Sequence, residues 1–347
     1  MAIAAELKSR REHLEAIVDG KNLDRLVRDN LQDVWKASTP PEILIRSGFV
    51  RRIPELTDSE IKGIRIVDKP RPVLPRRPPL SVLAQKPKGV GLRLAVTLPF
   101  LVQSNRLLLG ADAKFGWPIE SAHPSPSGLI DVLVVNANQV SGKEELAVDR
   151  PANRKRQIGN AITALAESDV NLVSLPEALG QGYRKYKDIR LLVEDGGHKR
   201  VGATPYRVPD ATEPVVRIPA DFYLNGWVHA LTNREIAMWM MLRDLHERAG
   251  GLPGTELDIT AHDRLRDYDL TRAAWESFKR LSDYGLIIFK ADPNRRDNGT
   301  VVGGSRRPDS ERHRFYLNDD GLKEPGVDTV YKQICEEHDN LPLRGPS

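Results

Sequence analysis

Two short stretches of this chain carry side chains of the kinds that read polyanions. The first is Arg154-Lys155-Arg156-Gln157, followed at helical intervals by Asn160 and Thr163. The second is Thr271-Arg272, followed at similar intervals by Trp275, Glu276, Lys279 and Arg280. Guanidinium and ammonium groups bind phosphates as charge-assisted donors. Arginine and lysine also match the O6/N7 edge of guanine, the amides of Gln157 and Asn160 match adenine, and the Glu276 carboxylate accepts from cytosine N4. Thr271 stands where a helix begins, and a helix N-terminus suits a phosphate. Charged residues face outward on any solvated helix, so residue type alone does not separate a reading surface from an ordinary one.

Each stretch leads into a basic loop. Tyr183-Arg184-Lys185-Tyr186-Lys187 follows the first. After the second, Arg295, Arg296, Arg306 and Arg307 lie in a glycine-bearing loop, and Arg312, His313 and Arg314 carry the charge onward. Such a loop can follow phosphates or enter a minor groove, adding salt-dependent affinity with little sequence reading. Other chemistries find no foothold. The eight histidines never fall at a zinc-ligand spacing with each other or with Cys335, the one cysteine. Ser141-Gly142-Lys143 lacks the upstream glycine of a phosphate loop, and there is no G-x-S-x-G elbow. The carboxylates are scattered over surface helices, so no catalytic residue, metal or cofactor is expected. The chain does not read as an enzyme.

The elements that must hold these residues are legible from periodicity. Ile158, Ala161, Ile162 and Leu165 repeat the spacing of Ala274, Ser277, Phe278 and Leu281, each set forming one face of a helix. The first helix stops at Asp169 and the second at Gly285. Each is followed by an apolar strand, Val170–Leu175 or Leu286–Phe289, then the basic loop and a return strand. Ahead of the second helix, Thr260 caps a short helix, and Thr232 with Glu235 forms a capping box for a helix ending at Gly250-Gly251. Ahead of the first, Leu92 to Leu109 has helical apolar spacing and Gly128 to Val135 is a compact apolar stretch. A short helix, a turn, a second helix, a strand, a loop and a strand make a winged helix-turn-helix, in which the second helix enters the major groove.

The expected fold is therefore α+β and mainly helical: tandem winged helix-turn-helix domains with an N-terminal helical arm. The divisions are a helical arm at 1–37, a Pro-rich basic linker at 38–90, winged-helix domains at 91–209 and 218–322, and a tail at 323–347. The arm carries Leu7, Leu14 and Val18, then Leu23, Leu26, Val27, Leu31 and Val34, and is expected to dock on its own body or on a second copy, giving a homodimer. In the linker, prolines interleave with Lys69, Arg71, Arg76, Arg77, Lys86 and Lys88, which fits a solvated spacer or a strap along a phosphate backbone.

The segment Phe222-Tyr223-Leu224-Asn225-Gly226-Trp227 through Leu231-Thr232-Asn233-Arg234-Glu235-Ile236, with the helix-turn-helix and wing after it, resembles winged-helix modules of actinobacterial DNA-binding proteins. The paired arrangement is similar to tandem winged-helix plasmid replication initiators. The resemblance covers roughly residues 92 to 322 and rests on generic motifs. It implies double-stranded DNA as partner, in transcription or mobile-element regulation or, alternatively, in DNA replication at origin repeats. A protein-interaction scaffold without DNA binding remains a third reading, kept open by Glu276 and Asp283 on the recognition helix.

The chain as a whole is compatible with this. Its 347 residues are 40% hydrophobic and 29% charged, globular values with room for two domains. The formal charge of +4 leans toward a polyanionic partner. The N-terminus turns charged too soon for a secretory signal, and the apolar run near Leu94–Val102 is short and broken by Pro99. No membrane association and a cytoplasmic location are expected.

Overall fold

The computed structural model describes residues 2–18, 23–35, 40–57, 60, 75–86, 90–104, 113–114, 119, 128–134, 150–175, 189–195, 204–210, 212–292, 294 and 312–340. They form a mainly helical α+β fold. Helices α1 (Ala2–Val18) and α2 (Leu23–Val34) lead to strand β1 (Glu42–Arg46), the single turn α3 (Ser47–Val50) and helix α4 (Pro79–Gln85). Then come α5 (Gly91–Gln103), α6 (Leu129–Val132), α7 (Arg150–Leu165) and the two-residue strands β2 (Val173–Ser174) and β3 (Arg190–Leu191). Strand β4 (Val215–Pro219) precedes α8 (Asp221–Leu224), α9 (Trp227–Ala230), α10 (Asn233–Arg248), α11 (Ala261–Tyr268), α12 (Arg272–Trp275) and α13 (Phe278–Asp283). Strands β5 (Ile287–Lys290) and β6 (Arg314–Leu317), a 3-10 turn at Asp319–Lys323 and α14 (Gly326–Asp339) close the chain. No helix among the described residues is long and apolar enough to cross a membrane.

Helix α10 is the axis of the core. Thr232 Oγ1 accepts from the Glu235 N–H, and Glu235 reaches back to the Thr232 N–H at 2.8 Å, so the capping box starts the helix where the sequence places it. From Glu235 to Asp244 every residue is buried, because α3, α4, β4, α12, α13 and β6 all pack around the helix. Trp239 stacks on Phe222 with ring centroids 4.6 Å apart. Burying side chains of this size stabilises by about 1.5–3 kcal/mol each.

The N-terminal arm belongs to this core. Leu7, Leu14 and Ile17 are buried, and α1 lies against α14. Arg10 enters beside α10 and donates to both Glu235 carboxylate oxygens, at 2.6 and 2.7 Å. Its guanidinium also lies 5.6 Å from the centroid of the Tyr284 ring. Helix α2 buries Val27, Leu31 and Val34 against α6 and α8. The expected homodimer through this arm is thereby left without its apolar face, since the stripe that a partner would cover is already covered within the chain. Among the described apolar residues of the arm, Leu26 is 54% exposed.

The expected linker at 38–90 is corrected in its described parts. Strand β1 pairs antiparallel with β4, distant in sequence, with Glu42 opposite Pro219 and Arg46 opposite Val215. Ile43, Ile45, Phe49 and Val50 are buried there, as are Leu80, Val82 and Leu83 of α4. The prolines misled because their positions are permissive. Pro79 occupies the first turn of α4, where a missing N–H costs nothing, and Pro41 accepts from the Ala220 N–H at 2.8 Å. Pro99, expected as a break, lies inside the continuous helix α5. The far edge of β1 is closed by the Gln103 side chain, which accepts from the Leu44 N–H at 2.9 Å and donates to the Leu44 carbonyl at 2.7 Å. That blunts a strand edge that another chain would otherwise extend.

Candidate nucleic-acid interface

The same order of elements occurs twice. In the upstream part, helix α5 is followed by a bridge residue, Lys114, then α6, α7, β2 and β3, and Lys114 pairs with Arg190 of β3. In the downstream part, α10 is followed by a bridge residue, Leu257, then α11, α12–α13, β5 and β6, and Leu257 pairs with Phe315 of β6. Within each part the two later strands pair antiparallel: Val173 with Leu191 and Ser174 with Arg190 upstream, Ile287 with Leu317 through Lys290 with Arg314 downstream. The bridge residue thus adds a third, minimal strand to each sheet, on the side of the final strand.

Upstream, α7 buries Ile158, Ala161, Ile162 and Leu165, the face its periodicity predicts. The opposite side exposes Arg156, Asn160 and Thr163. Arg156 donates to Asn153 Oδ1 at 2.8 Å, and Thr163 Oγ1 donates to the Gly159 carbonyl at 3.0 Å, leaving the hydroxyl oxygen able to accept. Lys155 and Gln157 are half-buried on the flank. Arg154 is placed differently from expectation. Its Nη2 donates to the Ile130 carbonyl at 2.7 Å, so it ties α7 to α6. Arg184 and Lys185 lie outside the described residues.

Downstream, Thr260 Oγ1 accepts from the Asp263 N–H at 2.9 Å and starts α11; Thr271 Oγ1 accepts from the Ala274 N–H at 3.2 Å and starts α12. The Thr271 hydroxyl is therefore engaged by its own helix, and a four-residue helix offers little dipole for a phosphate. The expected continuous helix from Thr271 to Tyr284 is broken between Glu276 and Ser277. There the Ser277 N–H bonds back only three residues, to Ala274, while Ser277 Oγ contacts the Ala273 carbonyl at 3.4 Å. Gly285, at φ 75°, ends α13 in the left-handed conformation that glycine adopts without penalty.

Two expectations for this helix are corrected, those for Trp275 and Arg280. Trp275 is 7% exposed, packed edge-on against Phe278 and Phe315, with the Arg264 guanidinium 5.0 Å from its ring centroid. Three residues before Phe278, it borders the buried face of the helix, where a large apolar surface gains most by burial. Arg280 turns away from the exposed face toward Glu6 of α1 and Glu337 of α14, 3.5 and 3.7 Å away. Arg272 is exposed but pairs with Glu276 at 2.7 Å, one turn along. Lys279 is exposed as expected. Arg312 pairs with Asp258 at 2.9 Å and Arg314 with Glu256 at 3.1 Å, both near the surface. Arg295, Arg296, Arg306 and Arg307 lie outside the described residues.

A clamp on the turn between α11 and α12 escaped the sequence reading. Asp269 takes φ 53°, tolerable for Asp. Its carboxylate accepts from Arg77 Nε at 2.7 Å and Ser81 Oγ at 3.2 Å, and Arg52 lies 3.9 Å away. Arg52 is 1% exposed; burial pulls its guanidinium below the usual range, opposed by Asp269 and Asp267. These three partners come from the stretch read as linker, so only the pairing of a buried arginine with a turn aspartate hints at them, and sequence order hides it. Among the described residues no group of three His, Cys, Asp or Glu is placed to hold a metal ion. Comparison of the chain with protein-family models, curated proteins and solved structures finds no match.

Proposed function

We propose that the chain binds duplex DNA through two winged helix-turn-helix units, at 91–209 and 218–322. The observation that carries this reading is the repeated order of helix, bridge strand, helix, helix, strand and strand, with the bridge residue paired to the last strand in both units. In that topology the third helix is the one presented to the major groove. In both units its inner face is apolar and buried, and its outer face carries cations or amides suited to phosphates and base edges. The chain acts as a regulator of transcription or of a mobile element. The pairing of two units in one chain also favours a second reading, a replication initiator bound to origin repeats, because two recognition helices suit a long or bipartite site.

The test is fluorescence anisotropy with a mixed-sequence duplex across a salt series. Binding that weakens steeply between 50 and 200 mM salt, about 10³-fold or more for six or more phosphate contacts, supports the reading. Absence of binding at the lowest salt overturns it and leaves a scaffold for protein partners. Between the two biological roles, protection of clustered short repeats beside the gene points to initiation, and protection of a single palindrome to regulation.

A further inference from the structure

Resting on the DNA-binding reading, we propose that the two units divide the work unequally: α7 of the upstream unit reads base edges and sets sequence specificity, and the downstream α12–α13 anchors the complex without choosing the sequence.

The first ground is helix continuity. Helix α7 runs unbroken over 16 residues, whereas its counterpart is split into helices of four and six residues. Base reading needs side chains carried in fixed register on a straight rod that fits the major groove. On α7, Arg156, Asn160 and Thr163 are spaced four and three residues apart on the exposed side. At about 1.5 Å per residue they cover roughly 10 Å of helix, about three base steps at roughly 3.4 Å each.

Charge is the second ground. The α7 sequence holds four cations and no carboxylate. The region from Arg272 to Asp283 holds three cations against Glu276 and Asp283. Downstream, the Arg272 fork is occupied by Glu276 and Arg280 is directed to Glu6 and Glu337. A guanidinium already satisfied by a carboxylate must give up that pair before it contacts guanine, which discounts the new contact. Among the described residues Arg156 donates to the neutral Asn153 amide rather than to a carboxylate, and it is exposed, so its fork reaches a guanine edge at little cost.

The third ground is chemical type. Arg156 matches guanine O6/N7, Asn160 matches adenine N6/N7, and the Thr163 hydroxyl oxygen can accept from a base donor. These three side chains lie on one stripe, so a run of adjacent bases is read together. Downstream, the aromatic candidate Trp275 is in the core, and Lys279 stands on the exposed face within electrostatic reach of Asp283, one turn along. Lysine acts mainly as a point charge, which positions more than it discriminates.

The experiment uses the full chain. Bound sequences are first selected from random duplex DNA, and the enriched duplex is compared with a scrambled duplex of the same composition. For Arg156→Ala with Asn160→Ala, the ratio of the two affinities should fall about 100-fold, on the basis of two lost bidentate contacts. For Arg272→Ala with Lys279→Ala, both affinities should fall together and the ratio should stay within about threefold. All four positions are exposed, and thermal melting confirms that each variant stays folded. As a second variant, Asn160→Arg should change the preferred base on reselection. The opposite pattern, with specificity lost downstream and kept upstream, overturns the division of work while DNA binding stands. If the unmodified chain binds no duplex at low salt, DNA binding and the division fall together.

Discussion

Replacing Arg10 by methionine tests how firmly the N-terminal arm is built into the downstream unit. Methionine keeps an apolar stem of similar length and removes the charge. Arg10 gives Glu235 two hydrogen bonds, at 2.6 and 2.7 Å, in a setting where the side chains are 7% and 1% exposed. Without them, Glu235 keeps the Thr232 N–H at 2.8 Å and a long contact from the Tyr284 hydroxyl at 3.4 Å. Breaking a buried ion pair on one side costs about 3–5 kcal/mol, because the remaining charge stays out of water. Against a total stability of about 5–15 kcal/mol this is a large fraction. With a urea slope of about 3 kcal/mol/M, the midpoint should fall by about 1 to 1.7 M. Adding Glu235→Gln removes the stranded charge and should recover about half of the loss. Burial raises the Glu235 pKa, but Arg10 outweighs it and the net shift is downward. The pair's contribution is therefore present above the unfolded carboxylate value, about 4.3, and is lost as pH falls below it. The Arg10→Met penalty should shrink in the same acid range. A midpoint shift below about 0.3 M at pH 7, or a midpoint that rises with protein concentration as for an arm exchanged between copies, refutes docking of the arm within its own chain.

His229 is buried with both ring nitrogens unpartnered among the described residues, and burial followed by the Arg93 charge lowers its pKa to about 3. Its native site binds no proton where the unfolded chain does, so stability is whole above about 6.5 and falls between there and about 3, by about 1.4 kcal/mol per pH unit per group. His229→Leu should remove one proton from that slope and be neutral or stabilising at pH 7; acid denaturation with an unchanged slope counts against it. Gly321→Ala should unfold the downstream unit, since a Cβ there would stand 2.2 Å from the Gly285 carbonyl oxygen, and circular dichroism reports it. Trp275→Ala should lower the melting temperature by removing a buried ring, at about 3–5 kcal/mol, because its place is the core; a variant with unaltered stability and lost DNA affinity returns Trp275 to the DNA face. Gln103→Leu should cost about 1–3 kcal/mol by stranding the Leu44 amide and carbonyl, measured by urea midpoint.

What the sequence disclosed divides along the range of the forces involved. The buried faces of α7 and of the helix around Phe278, the Thr232–Glu235 capping box and the stop at Gly285 are set by residues within a turn or two, and they are legible. The break at Glu276–Ser277 is a shift from i−4 to i−3 backbone bonding, which hydrophobic spacing does not register. Trp275 and Arg280 were assigned by helix phase to an exposed face that the break and the terminal helices reshape. The pairing of β1 with β4, the insertion of Arg10 and the Asp269 clamp join residues 170 to 225 positions apart or nearly so, and no local pattern announces them. Proline counting adds to the mismatch, because Pro79 sits in the first turn of a helix, where a missing N–H is harmless.

The most direct test of the central claim is selection of bound sequences from random duplex DNA with the full chain, followed by footprinting of the enriched site. Two winged-helix units on one chain, one reading and one anchoring, predict enrichment of a short site of the three or four base pairs that α7 reads, with protection in two patches, the second extending beyond the enriched bases. Enrichment of no sequence, with no protection at low salt, contradicts it.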